Sequence, residues 1–340
     1  MDQERYSRQM LFKKIGEEGQ RKLMNGHVLV IGAGALGTGN AEILVRAGVG
    51  TMTIVDRDYV EYSNLQRQQL YAEADAINRL PKAVAARQRL LDINSEVDIR
   101  SYVMDVTANE LKQLVSGVDL IIDATDNFET RLVINDISQK YNIPWIYGAC
   151  VGSYGLSYMV VPGKTPCFNC LLNKVPLGGA TCDTAGIIAP AVHMVVAYQT
   201  AEAIKWLTGD HDALRSELVS FDVWTNQHAS IRVNRLKKED CPSCGKDAVH
   251  PYLSQEHLSK TAVLCGRDTV QIRPPQQMER DLEQLSALLS REGGVVEANP
   301  FLVSYSTGEH RLVFFRDGRV LVHGTNDIAQ AKSLYHRYLG

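Results

Sequence analysis

Short apolar runs recur through the first half of the chain, separated by stretches whose apolar positions fall at helical spacing. "HVLVI", "TMTIV", "DIRSYVM", "DLIIDAT" and "PWIYGAC" read as strands, and helices are expected from near Leu36, Lys82, Ala108 and Phe128. Such alternation implies right-handed crossovers and a parallel sheet with helices on both faces. After Cys150 the pattern changes to the period of two. "SYGLSYMVVPG", "ELVSFDVW" and "HASIRVNRL" alternate like antiparallel strands. Between them, Ala185 to Thr208 reads as a long apolar helix, fit to pack on the sheet or to support a subunit interface. The expected fold is therefore α/β: a Rossmann-like doubly wound sheet whose parallel half continues into antiparallel strands.

The pattern breaks near "KKEDCPSCGKDAVHPYLSQEHLSK". Beyond it a small α+β domain is expected: a strand, a helix over "QMERDLEQLSALLSREG", three short strands and a closing helix. The three strands are "VVEANPFLVSYS", "HRLVFF" and "RVLVHG", with "RDGR" as a hairpin turn. The reading places one domain at 1–250 and the second at 262–340.

Composition narrows the class. A chain of 340 residues has room for two domains, and a net charge of -3 gives no nucleic-acid footprint. The first twenty residues are charged throughout, without the apolar core of a signal peptide. The longest apolar stretch, "GIIAPAVHMVVAY", is too short to cross a bilayer. A soluble, cytoplasmic protein without a membrane or nucleic-acid partner is expected. Seven cysteines cannot all pair, which argues against a disulfide framework.

Chemistry enters at "VLVIGAGALGTGN". Gly32, Gly34 and Gly37 satisfy G-x-G-x-x-G between a strand and a helix. The first makes a tight turn, the second lets phosphate approach backbone, and the third lets helix pack on strand. Asp56 closes the next strand, about 20 residues on, where an acidic side chain meets ribose hydroxyls. This much fits NAD and any other nucleotide with a free ribose. Three further residues fall at the same sheet edge: Arg67 after the second strand, Lys82 at a helix start and Asp126 past the fourth strand. A nucleoside triphosphate needs such charges to neutralise its phosphates and to hold magnesium. Taken singly, each has a plainer reading, as a solvated cation or a helix cap.

With these residues in view, the chain resembles the ThiF/MoeB/HesA family of ubiquitin-activating-like adenylyltransferases over about residues 4 to 248. The resemblance rests on "RYSRQ", "GAGALG", "VDRDYVEYSNLQRQ", "PK", "DATDN", two Cys-x-x-Cys pairs and "AGIIAPAV". It implies that ATP and a small ubiquitin-like sulfur-carrier protein ending in Gly-Gly react to give an acyl-adenylate and pyrophosphate. Thiamin or molybdopterin synthesis would be served, with sulfur from a donor such as a cysteine desulfurase. It further implies that Asp56 binds ribose beside Asp58, that Asn64, Arg67 and Lys82 hold the triphosphate, and that Asp126 holds magnesium. Arg8 resembles the arginine that reaches into the partner subunit's site, so a homodimer is implied.

Cys167, Cys170, Cys241 and Cys244 can supply four thiolates to a structural zinc ion, stapling segments some 70 residues apart. A thioredoxin-like dithiol is the alternative for either pair. Cys182 lies in a glycine-bearing loop that suits a mobile nucleophile, and the resemblance places it where some relatives attack the adenylated carrier. An ordinary loop thiol is the plainer reading. Cys150 and Cys265 read as packing, and the nine histidines form no spaced metal cluster. The competing readings are an NAD-dependent oxidoreductase, a non-catalytic zinc-stapled scaffold and, within the family, a tRNA-modifying dehydratase.

Overall fold

A computed structural model describes residues 3–172, 185–254, 261–263, 268–273 and 279–339. Cys182 and Cys265 lie outside the described residues. The chain divides into two compact units, Met1–His257 and Leu258–Gly340.

The first unit opens with two short helices, α1 (Gln3–Met10) and α2 (Gly16–Leu23), ahead of the expected alternation. Then come β1 (His27–Ile31), α3 (Ala35–Ala47), β2 (Thr51–Asp56), α4 (Glu73–Ile77), α5 (Lys82–Ile93) and β3 (Asp98–Val103). α6 (Ala108–Leu114), β4 (Leu120–Asp123), α7 (Phe128–Tyr141) and β5 (Trp145–Val151) complete the parallel half. β6 (Tyr154–Val160), α8 (Phe168–Leu171), α9 (Ala189–Thr208), β7 (Glu217–Asp222) and β8 (Gln227–Arg232) follow. The eight strands form one sheet in the order β3-β2-β1-β4-β5-β6-β7-β8. β1 to β5 pair in parallel, and β5 to β8 pair antiparallel.

The strand order reverses at β1, which lies between β2 and β4. In open α/β sheets ligands bind at such a switch point, beyond the strands' carboxyl ends. Two apolar layers cover the sheet. Val28, Val30, Met52, Ile54, Leu120 and Ile122 pack toward α3, α5 and α9 on one face. Leu29, Ile31, Val55, Ile121, Trp145 and Tyr147 pack toward α6 and α7 on the other. α9 seats closely because β5 carries Gly148, where a Cβ would stand 2.4 Å from Gln199 Nε2. Gln199 donates to the carbonyls of Asp123 and Ile146 and accepts from Asn40, joining α9, α3 and the sheet. No described helix is long and apolar enough to cross a membrane.

Leu258–Gly340 contains an antiparallel sheet in the order β11-β12-β13-β14-β10-β9, from β9 (Thr261–Val263) and β10 (Thr269–Ile272) to β11 (Val295–Ala298), β12 (Leu302–Ser306), β13 (Arg311–Phe315) and β14 (Val320–His323). α10 (Leu282–Leu289) and α11 (Ile328–Leu339) pack with it around Leu285, Leu289, Phe314 and Val322. Here the sequence reading needs correction. "VVEANPFLVSYS" is two strands, because the Asn299 side chain accepts from Phe301 and Leu302 N–H and turns the chain at Pro300. The long helix also starts at Ala189 and not at Ala185.

Candidate nucleotide site and four-cysteine centre

Strand register builds the edge. Ile31 pairs with Val55 on one side and Asp123 on the other, so Gly32, Asp56 and Ala124 leave the sheet at one level. Gly32 takes φ +98°, a conformation that favours glycine. A Cβ on it would sit 2.5 Å from the Ala124 carbonyl oxygen, and one on Gly37 would sit 1.9 Å from the Gly32 oxygen. Gly34 differs: a Cβ there would meet only Gln68 Nε2, at 4.0 Å. Gly32 and Gly37 are glycine for packing, whereas Gly34 leaves open space over the α3 N-terminus, where backbone N–H groups attract anions.

The carboxylate of Asp56 accepts from Ala33 N–H at 2.6 Å and from Asp58 N–H at 2.7 Å. Burial pushes this carboxyl up, against the pull of Lys82. Lys82 is itself buried at the first position of α5, with Nζ 3.7 Å from the Asp58 carboxylate. The Tyr71 hydroxyl lies 2.7 Å from the Ala33 carbonyl oxygen and 3.1 Å from that of Lys82, tying turn and helix together.

Asn64 ends a 3₁₀ turn, Tyr62–Asn64, and is buried. Its Oδ1 accepts from Glu61 N–H, while Nδ2 has no hydrogen-bond partner among the described residues. A buried amide in that state is suited to meeting an incoming acceptor. Arg67 is half-buried in the next turn, with one guanidinium nitrogen donating to the Ser63 carbonyl.

Asp126 stands just past β4 with its side chain 81% exposed. It does not cap α7. Asn127 does, accepting from Glu129 and Thr130 N–H.

The structure adds Arg57, which sequence reasoning passed over. Its guanidinium lies 3.3 Å from Asp105 and 4.0 Å from Asp126. Burial alone would lower its pKa, but Asp105, Asp58 and Asp126 together raise it. The available signal was a cation flanked by acids in "VDRDYV". The first unit thus brings Gly32, Gly34, Gly37, Asp56, Asp58, Asn64, Arg67, Lys82 and Asp126 to one edge.

Arg8 is not among them. It is exposed on α1, whose Tyr6 hydroxyl accepts from Asn94 Nδ2 at the far end of α5 from Lys82. Twelve helical residues separate those ends by about 18 Å.

The second centre unites Cys167, Cys170, Cys241 and Cys244, whose sulfurs all lie within 4.8 Å of one another. Cys167 Sγ is 3.8 Å from Cys170 and 3.6 Å from Cys241, and Cys170 is 3.6 Å from Cys244. A tetrahedron with metal–sulfur bonds of about 2.3 Å has edges of about 3.8 Å. The set can therefore hold a metal ion. α7 supports both pairs: Asn135 Oδ1 accepts from Phe168 N–H, and Asp136 accepts from Tyr252 N–H. Asn169 also donates to Ser243 across the two pairs. Cys150, expected to be buried, is half-buried near the end of β5.

Fold and site define a Rossmann-like nucleotide-binding protein with a cluster of four cysteines that could hold a metal ion. A family model described as the ThiF family matches residues 6–243, and the chain belongs to that family. It is 56% identical over 337 residues to the sulfur carrier protein ThiS adenylyltransferase of Bacillus subtilis, covering 99% of each chain. It is 38% identical over 248 residues to the Escherichia coli protein of the same name, covering 73% of this chain and 97% of that one. Among solved structures it is similar in fold to E. coli MccB bound to succinimide. That match has a TM-score of 0.64 and 23% identity, covering 72% of this chain and 75% of that one.

The contrast among the glycines is testable by thermal unfolding. Gly37→Ala is expected to lose about 3 kcal/mol, since the Gly32 backbone it meets cannot yield. Gly34→Ala is expected to stay within about 1 kcal/mol, the difference between glycine and alanine at a helix N-cap. Equal losses would show that the open space at Gly34 has been misjudged.

Proposed function

We propose that the chain adenylates the C-terminal Gly-Gly carboxylate of a small ubiquitin-like sulfur carrier of the ThiS kind, releasing pyrophosphate. The observation that supports this most is Lys82: a buried ammonium beside an open glycine turn, which a dinucleotide site has no need of. The name carried by the 56% identical Bacillus protein supports the same reading. In the reaction, a carrier carboxylate oxygen bonds to the α-phosphorus and the bond to the bridging oxygen of pyrophosphate breaks. No proton moves, because the carboxylate is already ionised. The work of the site is positioning and charge neutralisation.

Asp56 takes the ribose, beside Asp58. The open turn over Gly34, the unpartnered amide of Asn64, Arg67 and Lys82 hold the phosphates. Asp126 would hold magnesium, an ion commonly bound through one carboxylate together with substrate phosphates. When bound, that ion would neutralise part of the phosphate charge. The four cysteines hold a structural zinc ion, remote from the reaction.

The Cys182 thiolate attacks the adenylated carboxyl carbon, forming a thioester as the bond to AMP breaks, and sulfur comes from a donor of the cysteine desulfurase type. The unit from Leu258 lies beyond the reach of the family model and docks the carrier or another partner.

The reaction is reversible, so carrier-dependent exchange of labelled pyrophosphate into ATP is the direct assay. Arg67→Ala and Lys82→Ala are each expected to slow it by at least ~100-fold, and Asp126→Ala to lose most of it. Asp56→Ala raises the ATP requirement instead, because ribose contacts are alike in ground and transition states. Cys182→Ala leaves exchange in place, and a chain ending near His250 needs more carrier. No exchange with any Gly-Gly carrier, together with NADH binding, would hand the site to an oxidoreductase.

Arg8 stands too far from its own Lys82 to serve it, and this supports action across a homodimer. Mixing Arg8→Ala with Lys82→Ala protein is expected to restore partial exchange, because one hybrid site is complete. Absence of rescue despite verified subunit exchange would count against a shared site.

Elemental analysis is expected to find one zinc per chain. Cys167→Ser lowers the melting temperature and the zinc content together. Metal-free protein whose four thiols are all freely alkylated would exclude the zinc assignment.

A further inference from the structure

The loop that carries Asp126 is held by a buried ion pair that the reaction does not use. Arg131, on the first turns of α7, is buried, as is Asp123 at the end of β4. Arg131 Nε donates to the Asp123 carboxylate at 3.0 Å. One terminal nitrogen donates to the Thr125 carbonyl at 2.6 Å and lies 3.3 Å from that of Gly148. The guanidinium also lies over the Tyr147 ring, 5.2 Å from its centre. The other Asp123 oxygen accepts from Thr125 N–H at 2.9 Å and from its hydroxyl at 2.7 Å. All three polar groups of Thr125 are thereby fixed, and Asn127 is fixed by capping α7. Asp126 lies between these two anchors.

A buried ion pair adds little net stability over apolar residues of similar volume, so stability alone is a weak account of this one. Its geometry is more specific. A planar guanidinium reaches oxygens on the β4 end, the loop and β5 at once, as a lysine ammonium on its flexible stem does not.

We infer that Arg131 is a positioning residue: with Asp123 it fixes the backbone on which Asp126 stands, and so sets the affinity of the site for the cation between enzyme and phosphates. The inference rests on the reading of Asp126 as the magnesium carboxylate.

The test uses the full chain and a non-hydrolysable ATP analogue, titrated calorimetrically at a series of magnesium concentrations, with melting temperatures recorded. Arg131→Lys is expected to raise the magnesium concentration for half-maximal enhancement of binding about tenfold, the range seen when a group behind a metal ligand is altered. Binding without magnesium stays within about twofold, because the glycine turn and Lys82 are untouched. Thr125→Val gives a smaller shift in the same direction, and Thr125→Ser, which keeps the hydroxyl, removes it. Should Arg131→Lys fail to fold, the Thr125 pair decides.

A parent-like magnesium dependence in Arg131→Lys and Thr125→Val, beside a clear shift in Asp126→Ala, overturns the positioning role alone. So does an equal loss of binding with and without magnesium, the mark of a merely structural residue. An unshifted Asp126→Ala overturns the assignment of Asp126 and this inference with it.

Discussion

The nucleotide edge depends on one carboxylate used twice. Asp56 is the last residue of β2, yet one of its oxygens accepts from Ala33 in the turn after β1 and the other from Asp58 in its own loop. Burying such a group is costly unless its oxygens are satisfied, and two backbone N–H groups satisfy them. The same bonds stop the β1 and β2 turns from moving independently. A carboxylate oxygen has two acceptor sites, so a ribose hydroxyl can add to this arrangement without displacing it. Structural clasp and ligand contact are compatible in one side chain.

What the sequence made legible follows from range. The strands and helices of the parallel half were readable because apolar period and Gly-x-Gly-x-x-Gly spacing are local signals. Lys82 and Asp126 were readable because each sits within a few residues of an element end. Arg57 was not, since between two aspartates it looks like a solvated cation. Its meaning comes from Asp105, 48 residues away, brought alongside past the β3 end. Asp123 and Arg131 likewise look like ordinary helix-entry charges until Gly148 and Tyr147 arrive from β5. The missed turn at Asn299 is another matter. Pro300 inside a strand-like run is itself a break signal, and the sequence carried it.

α7 links the two centres. Its N-terminal turns carry the clamp on the Asp126 loop, and its middle turn, through Asn135 and Asp136, holds Phe168 and Tyr252 beside the cysteine pairs. The cysteine pairs and the Asp126 loop are thus anchored to the middle and the N-terminal turns of one 14-residue helix.

The charge at the edge bears on how the site can work at all. Arg57 and Lys82 stand among Asp56, Asp58, Asp105 and Asp126, two cations against four carboxylates. Arg57 is engaged by Asp105, and Lys82 by Asp58. A triphosphate entering this set brings about four more negative charges, and an anionic carrier terminus must then approach its α-phosphate. One subunit's own side chains do not neutralise that sum. The deficit calls for cationic charge beyond the subunit's own side chains. In the proposed function a divalent ion held by Asp126 would supply part of it, and Arg8 of a second copy would supply more, since the subunit's own α1 sits beside the end of α5 remote from Lys82. In the proposed function magnesium and a second subunit would meet one electrostatic requirement together.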